Sequence, residues 1–271
     1  MSGVTGADLS ASNAGDAPVS RPEELAGYLA ATRDRIAAAC AAAGRDPAGI
    51  TLIAVTKTYP ASDVLALAGL GLTDFGENRD QEAAPKAAAV AAAGQPVTWH
   101  FIGQLQTNKA NRIARYADYV HSVDRIRLVR ALGKAARAAG RELTCLVQVS
   151  LDPADLDTGT SNTRGAGGVG ERDAQARGGV PPATLAEVAA AIEAEEGLIL
   201  GGLMAVAPRY ADPLDAFVPL RRLSEVVRSV NASATMVSAG MSGDLEAAIE
   251  HGATHLRIGT ALLGDRRLPV R

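Results

Sequence analysis

The chain has 271 residues, which is enough for one large domain or two small ones. Its 27 basic and 30 acidic residues give a formal net charge of −3 without a long basic run, which argues against binding to nucleic acid or to an anionic membrane. Hydrophobic residues make up 47% of the chain and aromatic residues only 3%, and such an aliphatic core favours buried parallel strands over an all-β sandwich.

The first 20 residues are polar and rich in Gly and Ser, without the cationic start or apolar stretch of a secretory signal. We predict that residues 1–20 form a disordered leader. We also expect a cytoplasmic protein, since no apolar run is long enough to span a membrane. The two cysteines, Cys40 and Cys145, lack the spacing of metal ligands and are interpreted as buried thiols in a reducing compartment.

A long first helix is predicted from about residue 22 to residue 43. Ser20 and Glu23 have the spacing of a capping box, and apolar residues from Leu25 to Cys40 recur on one helical face. Short apolar strands then alternate with Ala-rich helical segments. The strands are predicted near residues 51–57, 72–75, 98–102, 118–122, 143–149, 198–206, 235–239 and 254–258.

This alternation predicts an α/β fold, a single (β/α)8 TIM barrel over residues 21–271 with an extra N-terminal helix and no second β domain. A doubly wound open sheet is the alternative. Residues 152–180 interrupt the pattern, since they are rich in Gly, Asp, Arg and Ser and have few large apolar residues. We predict a flexible insertion there, either a lid over the strand ends or a tolerated surface loop.

Lys57 follows the first predicted strand and therefore belongs to the carboxyl end of the barrel, where barrel enzymes place their active sites. A partly desolvated amine there could attack a carbonyl group and form a Schiff base. A structural ion pair is the alternative role for a single lysine.

The last two predicted strands are each followed by a turn and the start of a helix. We predict that Ser242 caps the first of these helices. Loops at these positions of a barrel often bind phosphate through free backbone N–H groups, so Ser238, Ser242, Gly259 and Thr260 could surround one phosphate. Ordinary helix capping is the alternative.

The first and eighth strands are neighbours in a closed barrel. A ligand with an aldehyde at one end and a phosphate at the other could therefore bridge Lys57 and the phosphate-binding loops. Pyridoxal 5′-phosphate (PLP) is such a ligand. A barrel aldolase that uses Lys57 on a phosphorylated sugar is the alternative that needs no cofactor.

Several motifs occur together in this order: AVTKTYP around Lys57, FGENRDQEA from Phe75, HFIGQLQTNK from His100, HSVD from His121, GLMAV from Gly202 and SAGMSGDLEAAIEHGATHLRIGTALLG from Ser238. This set resembles the pyridoxal phosphate homeostasis protein family over nearly the whole chain from about residue 22. The family is similar to the N-terminal barrel of alanine racemase. Here Arg79 and Asp80 follow Asn78, where the family often has an aromatic and an aliphatic residue.

The resemblance implies that Lys57 holds PLP as a Schiff base. It places Ser238, Met241, Ser242, Gly259 and Thr260 in the phosphate region and Asn78 close to the cofactor. Arg257 would approach the pyridine nitrogen, where a permanently charged guanidinium disfavours a protonated ring. His100 lies inside an apolar run and is interpreted as a hydrogen-bonded core histidine.

The expected function is storage, buffering or delivery of PLP without catalytic turnover, with PLP-dependent apoenzymes as possible recipients. Racemisation needs acid/base groups on both faces of the substrate, and in alanine racemase-like enzymes the second group comes from another domain. The alternative is a PLP-dependent racemase or lyase of narrow specificity, with Tyr59 or Tyr210 as the opposing acid.

Overall fold

The structure is a computed structural model that describes residues 19–156 and 178–264. Apart from Val19 and Ser20, the predicted leader lies outside the described residues. The same holds for residues 157–177 of the predicted insertion.

Eight parallel strands close into a barrel in sequence order, which confirms the predicted TIM barrel and excludes an open sheet. Closure occurs where the first strand pairs with the last, with Leu52 opposite Leu256 and Ala54 opposite Ile258. All carboxyl ends of the strands therefore lie at one end of the barrel. The strands are β1 (Thr51–Val55), β2 (Asp74–Glu77), β3 (Thr98–Phe101), β4 (Tyr119–Val123), β5 (Leu143–Val149), β6 (Leu198–Ala205), β7 (Met236–Ser238) and β8 (His255–Ile258).

Helices surround this barrel and connect its strands. Within the described ranges, no helix combines the length and the apolar character that crossing a membrane requires. The α-helices are α1 (Arg21–Ala42), α2 (Ala61–Gly69), α3 (Asp80–Ala92), α4 (Ala110–Ile113), α5 (Ile126–Ala139), α6 (Pro153–Leu156), α7 (Leu185–Glu193), α8 (Pro213–Phe217), α9 (Leu220–Val230), α10 (Leu245–Glu250) and α11 (Thr260–Leu263).

The largest differences from the predicted strand ranges, of two residues, occur in β1 and β2. β1 ends at Val55 because the next residues form a turn, in which the Tyr59 N–H donates to the Thr56 carbonyl at 3.0 Å. β2 begins at Asp74, since Leu72, three residues after the end of α2, donates its N–H back to the Leu67 carbonyl of that helix at 3.1 Å. Local hydrogen bonds thus shape the chain on one side of each of these strands.

Helix α1 begins where the capping box predicted. The Ser20 N–H donates to the Glu23 carboxylate at 2.9 Å, which supplies an acceptor for a backbone donor at the helix start. The helix packs against α2, α10 and α11 and so covers the junction of β1 and β8. Arg21 strengthens this packing by donating to the Leu263 carbonyl at 2.9 Å.

The core is aliphatic, as the composition indicated, and both cysteines are buried in it as free thiols. Burial raises the pKa of the Cys145 thiol to about 12, so this thiol stays protonated at neutral pH. His100 is also buried, at 1% exposure, and hydrogen-bonded, which confirms its interpretation as a core histidine.

Both ends of the predicted insertion have defined secondary structure or sheet contacts. Residues Pro153–Leu156 form α6, and Val180 forms a parallel bridge with Val149. The Val180 N–H donates to the Gln148 carbonyl at 2.8 Å, and the Ser150 N–H donates to the Val180 carbonyl at 2.9 Å. The chain therefore returns to the carboxyl end of β5 after residue 177.

Candidate functional site

A cavity of about 560 Å³ opens at the carboxyl ends of β1 and β8. It brings together most of the site residues predicted from the sequence, and it adds Gly243 and Ile102. The predicted residues that line it are Lys57, Met241, Ser242, Arg257, Gly259 and Thr260. Asn78 and Ser238 do not line it.

Lys57 lies two residues beyond the end of β1 and its side chain is exposed to the cavity. No described residue forms a hydrogen bond or an ion pair with its amine, so the structural ion pair considered from the sequence is not formed within the described part of the chain. A primary amine that the described residues leave without a partner is available to a ligand in this cavity.

The turn that carries Lys57 is strained. Thr58 has a φ of 69°, in the left-handed region that β-branched residues avoid. Its N–H donates to Glu82 Oε2 at 3.0 Å, which helps to hold this conformation. Backbone strain of this kind persists where surrounding contacts impose it, and it is concentrated at functional sites.

A buried ion pair supports the other side of the same turn. The Lys86 amine contacts Glu77 Oε1 and donates to the Thr56 carbonyl at 2.7 Å. The Thr56 hydroxyl donates to the same Glu77 oxygen at 2.7 Å. Lys86 and Glu77 are 7% and 1% exposed, so water screens their attraction little. Contacts from β2 and α3 therefore fix the backbone on the amino-terminal side of Lys57.

The loop after β7 forms the opposite wall of the cavity. The prediction that Ser242 caps the next helix is wrong, because α10 begins at Leu245 and Asp244 occupies the capping position. Asp244 Oδ1 accepts from the Met241 N–H at 2.5 Å, which closes the loop on itself. The Ser242 hydroxyl instead accepts from the Ala261 N–H at 3.3 Å and so joins this loop to α11.

Backbone donors are concentrated in this wall. The N–H groups of Ser242, Gly243 and Thr260 find no acceptor within the described ranges. Thr260 begins α11, and the first N–H groups of a helix have no partner inside it. Such N–H groups together form a site that suits an anion.

Arg35 of α1 orients one of these donors, and the sequence analysis did not identify it. Its Nη1 donates to the Ser242 carbonyl at 2.7 Å, while its other nitrogens bind Glu246. Because a trans peptide directs its C=O and its N–H in opposite directions, this contact turns the Gly243 N–H away from α1. The hydrogen bond to Arg35 holds the pKa of Glu246 below its ordinary value.

Arg257 lies beneath the cavity at 4% exposure. Its guanidinium donates to Ser238 Oγ at 2.7 Å and to the Ala205 carbonyl at 2.9 Å. Ser238 is fully buried below it and reaches the cavity only through Arg257. A cation is thereby fixed at the base of the cavity.

Asn78 follows β2, and its backbone is packed tightly against Gly103. A Cβ atom on Gly103 would lie 2.1 Å from the Asn78 carbonyl oxygen, so only glycine fits there. Asn78 Oδ1 is buried and has no hydrogen-bond partner among the described residues. A buried amide oxygen of this kind is a position where a ligand or a water molecule would be stabilised.

The two tyrosines considered as opposing acids occupy different positions. Tyr59 lines the cavity, but its hydroxyl donates to the Gly264 carbonyl at 2.7 Å. Tyr210 is 67% exposed and its hydroxyl donates to Asp152 at 2.7 Å. The hydrogen bond to Asp152 raises the pKa of Tyr210, which makes it a weaker acid.

Comparison with known proteins gives a consistent result. The alanine racemase N-terminal domain family matches residues 28–267. A pyridoxal phosphate homeostasis protein from Mycobacterium tuberculosis is 43% identical over 262 residues, which cover 92% of this chain and 95% of that protein. The protein of the same name from Escherichia coli is 34% identical over 247 residues, which cover 90% of this chain and 97% of that protein.

Solved structures agree with the sequence relatives. PipY from Synechococcus elongatus, solved with PLP bound, superimposes with a TM-score of 0.71 at 29% identity and covers 89% of this chain and 100% of its own. Alanine racemase from Streptomyces lavendulae shares the fold, with a TM-score of 0.59 at 20% identity over 89% of this chain and 58% of its own. The chain therefore belongs to the alanine racemase N-terminal domain family and, within it, to the pyridoxal phosphate homeostasis proteins.

Proposed function

We propose that this protein binds PLP through Lys57 and takes part in PLP homeostasis by storing, buffering or delivering the cofactor. The observation that carries the proposal is the juxtaposition, in one cavity, of a primary amine and a wall of backbone N–H donors that have no partner among the described residues. These are the groups that an aldehyde and a phosphate require. The names of the relatives and the PLP bound to PipY support the same proposal.

The residues present fit this cofactor in chemistry as well as in position. When bound, PLP supplies an aldehyde that a lysine amine can hold covalently as a Schiff base. Ser242, Gly243 and Thr260 would donate N–H groups to its phosphate, with Met241 and Gly259 completing the wall. Asn78 would act close to the ring, through the amide oxygen that has no described partner.

Arg257 would face the ring nitrogen, as a permanently charged guanidinium at the base of the cavity. A cation there opposes protonation of the ring, which makes the ring a weak acceptor of electrons. Ser238, expected in the phosphate region, would contribute through its bond to Arg257. This arrangement favours holding the cofactor over using it in catalysis.

Turnover of an amino acid would need a second acid/base group opposite Lys57. The hydroxyl groups of Tyr59 and Tyr210 are already engaged with Gly264 and Asp152. The described residues therefore favour binding without turnover. We propose that the protein acts in the cytoplasm and that PLP-dependent apoenzymes receive its cofactor.

The absorbance spectrum of the purified protein with added PLP, before and after borohydride, tests this function. We expect a visible band that borohydride removes, with the reduced cofactor found by peptide mass spectrometry on Lys57. Lys57→Ala should lack the band, and Lys109→Ala, which changes a lysine outside the cavity, should retain it. A wild-type protein without the band, or with the adduct on another lysine, would refute the proposal.

A second measurement separates a carrier from an enzyme. The loaded protein is incubated with amino acids in heavy water, and exchange of the α-proton is followed by NMR. We expect exchange no faster than with free PLP. Rapid exchange of one amino acid would identify a racemase or lyase of narrow specificity. Transfer of PLP to an apoenzyme, measured by recovery of its activity, tests delivery.

A further inference from the structure

A chain of buried polar side chains crosses the inside of the barrel below the cavity. His100 Nε2 lies 2.9 Å from Asp74 Oδ1, and His100 Nδ1 lies 2.9 Å from His121 Nε2. His121 Nδ1 lies 2.9 Å from Ser238 Oγ, which accepts from Arg257 at 2.7 Å. The chain thus runs from the amino-terminal end of β2 to the cation at the base of the cavity.

When both histidine rings are neutral, the chemistry of the two ends sets the direction of every hydrogen bond in this chain. A carboxylate only accepts, so His100 must donate from Nε2 to Asp74, and its Nδ1 then accepts when the ring is neutral. His121 accordingly donates from Nε2 to His100 and accepts at Nδ1 from the Ser238 hydroxyl. A guanidinium only donates, so Ser238 Oγ accepts a hydrogen bond from Arg257 through its remaining lone pair.

The surroundings keep His121 neutral. Burial, followed by the nearby His100, Arg257 and His255, lowers the pKa of His121 far below its ordinary value. His255 lies in β8 beside the chain, and the Tyr119 ring stacks on His100 with 4.5 Å between ring centroids. The carboxylate of Asp74 is the anion of the chain, and burial is outweighed by hydrogen bonds from His100 and Thr73, which lower its pKa.

We propose that Asp74, His100 and His121 are positioning residues that hold Arg257 in place through Ser238. This inference rests on the proposed function, since it assigns a task to Arg257 beneath the cofactor. Ser238 directs its hydrogen to His121 and its lone pair to Arg257, so its hydroxyl links these residues and does not contact phosphate. The side chain that sets the base of the cavity is thereby tied to a carboxylate at the opposite end of the barrel.

Nitrogen NMR of the histidine rings in the protein without PLP tests the direction of the chain. At neutral pH, we expect His121 to be neutral with hydrogen on Nε2 alone, and His100 to carry on Nε2 the hydrogen that it donates to Asp74. Signals are assigned with His100→Gln and His121→Phe, and His255→Gln serves as a control because His255 is a barrel histidine outside the chain. Hydrogen on Nδ1 of His121, or a doubly protonated His121, would overturn the inference.

The coupling to Arg257 is tested in variants that break the chain. His121→Phe removes both ring nitrogens, while Asp74→Ala removes the acceptor at the partly exposed end and leaves the buried residues in place. In both, we expect faster rotation of the Arg257 guanidinium in nitrogen NMR. Asp74→Asn keeps an acceptor and should restore the slow rotation, a rescue that general damage to the fold would not give.

Release of PLP gives a second readout. His121→Phe should disorder Ser238 and so weaken its hydrogen bond with the charged Arg257, which should accelerate release about tenfold, with little change in Asp74→Asn. If guanidinium rotation and release match the wild type in both His121→Phe and Asp74→Ala, the chain does not position Arg257. If PLP does not bind at all, the proposed function fails, and the histidine and arginine signals still decide the inference.

Discussion

Arg35 Nη1 and the Ser242 carbonyl oxygen lie 2.7 Å apart, which ties the first helix of the chain to the loop after β7. The same guanidinium binds both carboxylate oxygens of Glu246, at 2.5 and 2.7 Å. Helix α1 is therefore more than a cover for the junction of β1 and β8. It sets the orientation of a peptide in the wall proposed to bind phosphate.

Replacing Arg35 should weaken PLP binding although this side chain does not line the cavity. Arg35→Gln removes the charge and the two-pronged contact with Glu246, which frees the Ser242–Gly243 peptide to rotate. We expect a loss of about 1 kcal/mol in binding free energy, the usual contribution of one hydrogen bond, or roughly a fivefold higher Kd. Arg33→Gln on the exposed side of α1 is the matched control. Equal affinities of the two variants would contradict this role.

The buried Lys86–Glu77 ion pair should make each of its residues costly to remove alone, and less costly to remove when its partner is also neutralised. Lys86→Met leaves the Glu77 carboxylate buried without its cation, and we expect a loss of about 3–5 kcal/mol in unfolding free energy. Adding Glu77→Gln removes the unpaired charge and should restore most of that loss. Urea denaturation of both single variants and the double variant gives the coupling energy. Additive effects in this cycle would show that the two residues do not interact.

Because Gly103 lies so close to Asn78, adding a single methyl group at Gly103 should lower the stability of the protein strongly. Gly103→Ala places a Cβ 2.1 Å from the Asn78 carbonyl oxygen, and moving two backbone segments apart should cost about 2–3 kcal/mol. Gly69→Ala is the control, because no atom lies within 4 Å of a Cβ there. Thermal denaturation compares the two. A Gly103→Ala variant as stable as Gly69→Ala would refute the contact.

Because the pKa values of His121 and His255 are lowered in the folded protein, we expect the protein to lose stability in mild acid. Burial and the nearby His100 lower the pKa of His255 to about 4, from an ordinary value of 6.5. Between pH 6.5 and about pH 4, His255 is therefore protonated in the unfolded chain but neutral in the folded chain. Stability should fall as the pH decreases through this interval, by up to about 1.4 kcal/mol per pH unit for each such histidine.

Urea denaturation between pH 7 and pH 4.5 measures this dependence. His121 should add to it, since its pKa is also lowered. The carboxylate of Asp74 stays ionised throughout, because its pKa lies below the ordinary 3.8. His255→Gln should flatten the decline relative to the wild type. An unchanged slope in this variant would mean that His255 does not titrate as described.

Much of the fold was predictable because each strand and helix has a local signal. Apolar runs of strand length alternated with Ala-rich helical segments, and the capping box at Ser20 fixed the start of α1 within one residue. The strand ends were less predictable. β1 stops at Val55 because Thr58 is held in a strained conformation by Glu82, and nothing in the local sequence favours that conformation.

The site was predictable where a residue follows a strand and less so where contacts join distant segments. Ser242 and Asp244 are both suitable helix caps, but Asp244 occupies the N-cap position of α10 with its side chain bound to the Met241 N–H, while Ser242 binds Ala261 of a different helix. Arg35 lies 207 positions from Ser242, and no spacing rule connects them. The link from Asp74 to Arg257 uses single side chains from separate strands, which form no motif.

The contacts between α1 and the last helices of the barrel have a consequence for when the cavity forms during synthesis. Lys57 is synthesised before Met241, Gly259 and Leu263, which are among the last described residues to be added. Arg21 cannot reach the Leu263 carbonyl until then, and the barrel cannot close before β8 pairs with β1. Domains fold during synthesis from the amino-terminal end, but this cavity needs both ends of its barrel. A nascent chain that lacks β8 therefore cannot form this cavity, so PLP can occupy it only after β8 has been added.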